Sequence, residues 1–383
     1  MMKRLVRLVS IAAATVAAGG VVSVGIPPAL AAGPAGDGSR SAGAVFVQTD
    51  DVAGNAVVSY QRFGDGTLRE VAATPTGGLG GALDGAVVDH LASQGSLALD
   101  RDRGLLYAVN AGSDSITVFD VDGARVRPLQ VIASGGDFPV SIAVSGDSLY
   151  VLNARRGGSV QGYRRLAARL VLVPAEHRNL GLDPTQLPEF THTPGQVAFT
   201  PDGRNLLVTT KANGNDIDVF AISRSGAIAS TPVTTADPAA VPFAISFDRH
   251  GDVLIAEAGT NALAAFRLTA AGSLVLLDRA PTGQSATCWV VRSGRFFYAS
   301  NAGSGSLTGV EVKQGALLTS IGNTPTDAGT VDATVSGDGR FLYVQAGAAG
   351  LVDGFRVMRD GSLAPTGTVM VNNAAGGEGI AAS

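Results

Sequence analysis

One phrase recurs along this chain, and it limits the fold more than any other feature. It consists of a short apolar strand, a turn, a second strand ending in a polar residue, a Gly/Asn/Ser loop and a third strand. The phrase reads SLALDRDRGLLYAVNAGSDSITVFDV from Ser96, SIAVSGDSLYVLNARRGGSVQGYRR from Ser141 and QVAFTPDGRNLLVTTKANGNDIDVFAI from Gln196. It returns from Ala244, Thr287 and Asp332. The starts lie 43 to 55 residues apart, the length of a four-stranded propeller blade. The strands are short, rich in β-branched and aromatic residues, and bounded by turn chemistry. Asp202-Gly203, Asp338-Gly339 and Asp360-Gly361 mark hairpins, because glycine accepts the positive φ of a tight turn.

The two ends complete the count. From Ala44 the chain reads AVFVQTDDVAGNAVVSYQRF, a second and third strand without a first, and residues 379–383 read as a first strand with nothing after it. Six repeats plus two complementary fragments predict an all-β fold, a seven-bladed β-propeller of four-stranded blades. The C-terminal strand would pair with the N-terminal blade and remove the open sheet edge.

Before the repeats, Lys3, Arg4 and Arg7 precede an apolar run, and Ala29-Leu30-Ala31 offers an A-x-A cleavage site. Residues 1–31 therefore read as a signal peptide, residues 32–42 as a disordered tail and 43–383 as one propeller domain. Export implies an extracellular protein without membrane insertion. Of 28 Lys+Arg, 25 remain after cleavage against 32 Asp+Glu, a net charge of −7. That acidity disfavours nucleic acid as a partner, and a small-molecule ligand and a monomer are expected instead. Cys288 is the only cysteine, so no intramolecular disulfide forms.

The phrase YAVNAGSDSITVFDV at 107–121 resembles the YVTN-type blade, and PDGR at 201–204 resembles its inner hairpin. Together they are similar to the lactonase-like seven-bladed propellers, which include 6-phosphogluconolactonases and carboxymuconate-cyclising enzymes. The resemblance implies a lactone hydrolase. Enzymes of that group carry a P-R-H blade start and a V-x-N-E strand end; here the matching blade has Gly195 and Gln196 in place of Arg and His, and Lys211 in place of Glu. Catalysis and non-catalytic binding thus both stand open.

In a propeller the loops between second and third strands share one face with the links into inner strands, around the channel mouth. Strand-two ends place Thr49, Asn110, Asn153, Lys211, Glu257, Asn301 and Gln345 in a ring there. The plain reading of the asparagines is turn chemistry. Lys211 and Glu257 differ, because only two lysines and six glutamates follow the signal peptide and one of each falls on adjacent blades. A base at Glu257, with Lys211 and Arg155 stabilising an oxyanion, would suit lactone hydrolysis; an inter-blade salt bridge is the competing expectation. Asn110, Asn153, His192, Gln196, Asn301 and Gln345 are the expected substrate contacts. Two long links, 76–95 with His90 and 177–195 with Glu189 and His192, could form lids. Glu378 and Asp332 precede inner strands and could face the channel. Cys288 and Trp289 begin another inner strand, where burial is expected.

No metal or cofactor motif occurs. The spacing calls for no metal site, although oxygen ligands in the channel leave room for a calcium or magnesium ion. The leading expectation is a secreted lactonase-like propeller acting on a lactone or sugar acid at the channel mouth; the alternative is an extracellular binding or cell-surface module. N-terminal sequencing of secreted protein should begin near Ala32, and an intact Met1 on membrane-bound protein would contradict the signal-peptide reading.

Overall fold

Residues 41–383 are described by the computed structural model; the stretches expected to be a signal peptide (1–31) and most of the expected tail (32–42) lie outside that range. Twenty-eight strands form seven four-stranded antiparallel sheets arranged as a ring. The first strand, Ser41–Gln48, begins two residues earlier than the domain start expected at 43. Blade 1 combines Ser41–Gln48, Ala56–Phe63 and Leu68–Pro75 with the C-terminal strand Ile380–Ala382. Blades 2 to 7 occupy 97–133, 139–179, 197–236, 242–281, 287–325 and 330–370.

Closure is a three-pair ladder, Val45 with Ala382, Phe46 with Ala381 and Val47 with Ile380. The Gln48 N–H donates to Gly379 O at 2.8 Å and Ser383 N–H to Ala44 O at 3.0 Å, extending it at both ends. Strand alternation then serves both neighbours. Val45 and Val47 pack with Phe341, Tyr343 and Val352 of blade 7, while Ala44 and Phe46 pack with Leu97, Leu106 and Phe119 of blade 2. The same sandwiching recurs between other blades, as where Tyr298 of blade 6 meets Leu342 and Val344 of blade 7. Buried tyrosines bond the neighbouring outer hairpin or strand: Tyr60 to Met370 O at 3.1 Å, Tyr163 to Ala133 O at 2.6 Å and Tyr343 to Gly66 O at 2.8 Å.

The PDGR hairpin has a local cause. Asp202 Oδ1 accepts from Thr200 Oγ1 and the Arg204 amide, and Gly203 takes φ +68°. Ser336, Asp338, Arg340 and Gly339 repeat the arrangement in blade 7. At the other end of the inner strands, bulges in blades 3, 5, 6 and 7 interrupt the ladder beside the channel and re-aim side chains there.

Removing 376–383 deletes three buried strand residues and exposes the edge of Ser41–Gln48. The expected cost is on the order of 5 kcal/mol, read as a collapse of the melting temperature; an unchanged melting temperature would contradict the closure.

Candidate functional site: a filled channel mouth

All seven ring positions expected from the repeats lie where the second strands end, and none is more than 3% exposed. The open mouth anticipated from the sequence is not there, because segment 76–96 crosses it. Gly80 N–H donates to Asp51 O, and His90 N–H to Gly376 O at 2.7 Å, both in blade 1. Ser93 Oγ reaches Val140 O of blade 3 at 2.8 Å. The indole N–H of Trp289 in blade 6 donates to Ser93 O at 2.6 Å. Gln94 fixes the far side: its amide pairs with both the N–H and the C=O of Val290, at 2.9 and 3.1 Å. Val88 lies against Gly347 of blade 7 so closely that a Cβ there would meet its carbonyl. This crosspiece therefore touches blades on every side of the channel.

Lys211 holds the crosspiece from blade 4. Its ammonium donates to Ala92 O and Phe190 O, both at 2.6 Å, and to Thr193 Oγ1 at 3.0 Å. It also lies 5.3 Å from the centre of the Phe243 ring. Burial lowers its pKa to about 8. Lys211 and Ala92 both adopt positive φ, +52° and +49°, strained for residues with a Cβ.

The expected pairing of Lys211 with Glu257 is not formed. The Glu257 carboxylate accepts from Arg279 Nη2 at 2.8 Å and from Thr260 Oγ1 at 2.6 Å, and Arg279 also bonds Asp237 at 2.7 Å. Burial pushes Glu257 up to about 7, opposed by Arg279. Glu257 thus belongs to a closed ion-pair network without a face toward the channel chemistry proposed for it.

Other expected contacts are likewise occupied. Asn110 bonds Ser115 and Thr117, and Asn301 bonds Thr287, Ser306 and Thr308, as turn chemistry requires. Asn153 reaches Ser134 O and Ser159 through its amide nitrogen. Gln196 Oε1 accepts from the Ile245 amide at 2.6 Å. Arg155 forks onto Glu189 at 2.8 and 3.1 Å and stacks on Phe138. His192, on the short helix Glu189–His192, lines a small recess of about 30 Å³ with Arg155 and Glu189. Gln345 Nε2 contacts Gly377 O at 3.5 Å, and its Oε1 has no partner.

What the mouth does contain is a buried group of acids. The Ser93 amide donates to both Asp89 Oδ2 (3.2 Å) and Glu378 Oε2 (3.1 Å), which brings the two carboxyls together on one donor. Asp50 Oδ2 accepts from the Glu378 amide at 2.8 Å, and Asp332 faces Asp89 and Glu378 from blade 7. Burial is the largest cause of each shift. It raises Asp89 to about 6, Asp50 and Asp332 to about 7, and Glu378 well above the usual carboxylate range. Two carboxyls in one dry site cannot both ionise cheaply. Among the described residues no group of three or more His, Cys, Asp or Glu is arranged to hold a metal ion. Nor is any helix there long and apolar enough to cross a membrane. Glu378 and Asp332 were legible as channel-facing from their place before inner strands; Asp50 and Asp89 carried no such signal. A cavity of about 460 Å³ opens at the opposite face beside Leu99, Arg101, Thr334 and Ile380.

Fold and mouth together define a closed seven-bladed β-propeller. Residues 54–181, a third of the chain, match the family model described as "Lactonase, 7-bladed beta-propeller". No curated protein matches the chain in sequence. Among solved structures, the periplasmic gluconolactonase of Pseudomonas aeruginosa superposes with a TM-score of 0.72 at 17% identity, covering 89% of this chain and 98% of that one. A candidate 6-phosphogluconolactonase from Bacteroides fragilis gives 0.71 at 17% identity, covering 90% and 99%. At such identities the likeness establishes the fold.

Arg279→Ala should leave the Glu257 carboxyl buried without its cation and cost about 3 kcal/mol at pH 8. Arg279 lowers the folded-state pKa of Glu257, so its loss raises that pKa further. The variant's stability is then retained at low pH and lost as pH rises through the raised value. Adding Glu257→Gln should recover most of the loss in thermal melts, and no recovery would contradict the network.

Proposed function

We propose that this chain is a secreted lactonase-like propeller that acts on, or binds, a small oxygenated molecule such as a lactone or sugar acid. Its site is the buried cluster of acids and Lys211 beneath the crosspiece. The observation that carries this reading is the meeting, at the channel mouth, of one buried ammonium with carboxyl groups whose pKa values burial drives toward neutrality. Perturbed groups gathered at a channel are how a scaffold prepares acid–base chemistry. For a lactone, the Asp89–Glu378 pair would take a proton from attacking water, and Lys211 would stabilise the oxyanion developing on the carbonyl oxygen. Glu257 has no part in this scheme, and Arg155 acts only through Glu189 on the rim.

The non-catalytic reading rests on a different observation: the mouth is filled by the chain's own segment, and the matching blade carries Gly195, Gln196 and Lys211. A panel of five- and six-membered lactones separates the two, with ring opening followed by proton release and binding by thermal shift. Hydrolysis that falls by about 10²-fold or more in Lys211→Met and Glu378→Gln, with the fold retained, supports the enzyme. Thermal stabilisation by lactones without turnover would support the binding module, and neither response would remove lactones as the ligand class.

A further inference from the structure

Hydrogen counting at Ser93 constrains the protonation of the acids beneath the crosspiece. Ser93 Oγ has one hydrogen, and it lies 2.8 Å from Val140 O and 2.7 Å from Glu378 Oε1. A carbonyl oxygen only accepts, and an ionised carboxylate only accepts. Both contacts are hydrogen bonds only when Glu378 Oε1 carries a proton and donates to Ser93, leaving the serine to donate to Val140.

We infer that segment 76–96 is a proton-latched lid: it closes the channel mouth while the Glu378–Asp89 pair holds its proton, and it lifts when that proton is lost. Exposure of the acid cluster as a lactone site rests on the function proposed above, whereas the movement of the lid does not.

The surroundings oppose a second negative charge. Asp50 of blade 1 and Asp332 of blade 7 add acids rather than cations. Lys211 is the nearest compensating charge, yet its three N–H groups are fully engaged by Ala92, Phe190 and Thr193, so it donates to neither carboxyl. Cys288 couples weakly to Asp89 and Lys211, and burial lifts its thiol to about 12, so it stays neutral. His90, whose pKa burial lowers, brings no charge near neutrality, and Glu189 is already forked by Arg155. Ionising the latch therefore leaves two carboxylates sharing one Ser93 amide and strips the Val140 carbonyl of its donor. Both changes fall on the bonds that hold the lid to blades 1 and 3.

The molecule carries its own reporter. Trp289 is the chain's single tryptophan, 3% exposed, packed edge-on to Phe243 at 5.1 Å and bonded to Ser93 O of the lid. Its emission and acrylamide quenching are followed from about pH 5 to pH 9, with far-UV circular dichroism recording the blades. The expected result is a shift to longer wavelength and severalfold stronger quenching as the pH rises, at a pH above the ordinary carboxylate range, while the β signal is unchanged. The double variant Asp89→Asn/Glu378→Gln, which cannot ionise, should keep the low-pH emission throughout. Should that variant fail to fold, wild-type hydrogen exchange decides: amides 83–96 should lose protection between pH 6 and pH 8, beyond the intrinsic rate change, while those of Ser41–Gln48 do not. Emission constant until the blades unfold, a double variant that titrates like wild type, or exchange in 83–96 that follows the intrinsic rate would each overturn the latch. A titrating Trp289 with no lactone turnover would leave the lid standing and remove the hydrolase reading alone.

Discussion

Three carboxyl groups from distant parts of the chain meet at the channel mouth, and the rest of the structure is arranged around that meeting. Glu378 stands two residues before the closing strand Ile380–Ala382, Asp50 two residues after the strand it pairs with, and Asp89 in the crosspiece. The Glu378 amide on Asp50 and the Ser93 amide on Glu378 and Asp89 link ring closure to the filling of the mouth. A buried polar group without partners costs free energy of the order of a hydrogen bond or more, so this network must be complete or absent. Completeness here requires protons on the acids. Closure by blade packing and closure by the network support one another, because the same four residues, 376–379, serve both.

That arrangement explains why the mouth has little room. Propellers place the convergence of all blades at the channel, and an unfilled channel would leave seven strand ends facing water. This chain fills it with backbone and amide groups: Gln94 on Val290, Ser93 under Trp289 and Val88 against Gly347. Lys211 adds a cation that binds carbonyl oxygens of both long links at once. Its substitution should therefore disturb lid position as well as any chemistry. Thermal melts of Lys211→Met belong beside its kinetics for that reason.

The blades were legible in the sequence because their causes are local. Short apolar strands such as Ser41–Gln48 and the Thr200–Asp202 and Ser336–Asp338 hairpins are each set within a few residues, and the terminal fragments complete one repeat between them. The ring of strand-two ends was legible as positions, since each repeat supplies one. Their partners were not. Glu257 looked like the neighbour of Lys211 because adjacent repeats carry them, but Arg279, on the outer strand of its own blade, competes for the carboxylate and wins at 2.8 Å. The asparagines turn inward to their own loops, which short-range turn chemistry already favoured. The crosspiece was visible only as a long link with room for a lid. Its hold depends on side-chain-to-backbone bonds spanning up to 285 residues, for which no local pattern exists.

The account stands or falls on whether a carboxylic acid persists at the mouth when ordinary glutamates, with pKa near 4.3, have long ionised. Infrared difference spectroscopy reads this directly through the C=O stretch of a protonated carboxyl. At pH 6 the wild-type protein should show that band, it should disappear by about pH 9, and Glu378→Gln should lose the part that Glu378 contributes while Asp50, Asp332 and Glu257 supply the rest. A wild-type spectrum at pH 6 containing only carboxylate bands would contradict the account, since the lid would then be held without the proton on which the network depends.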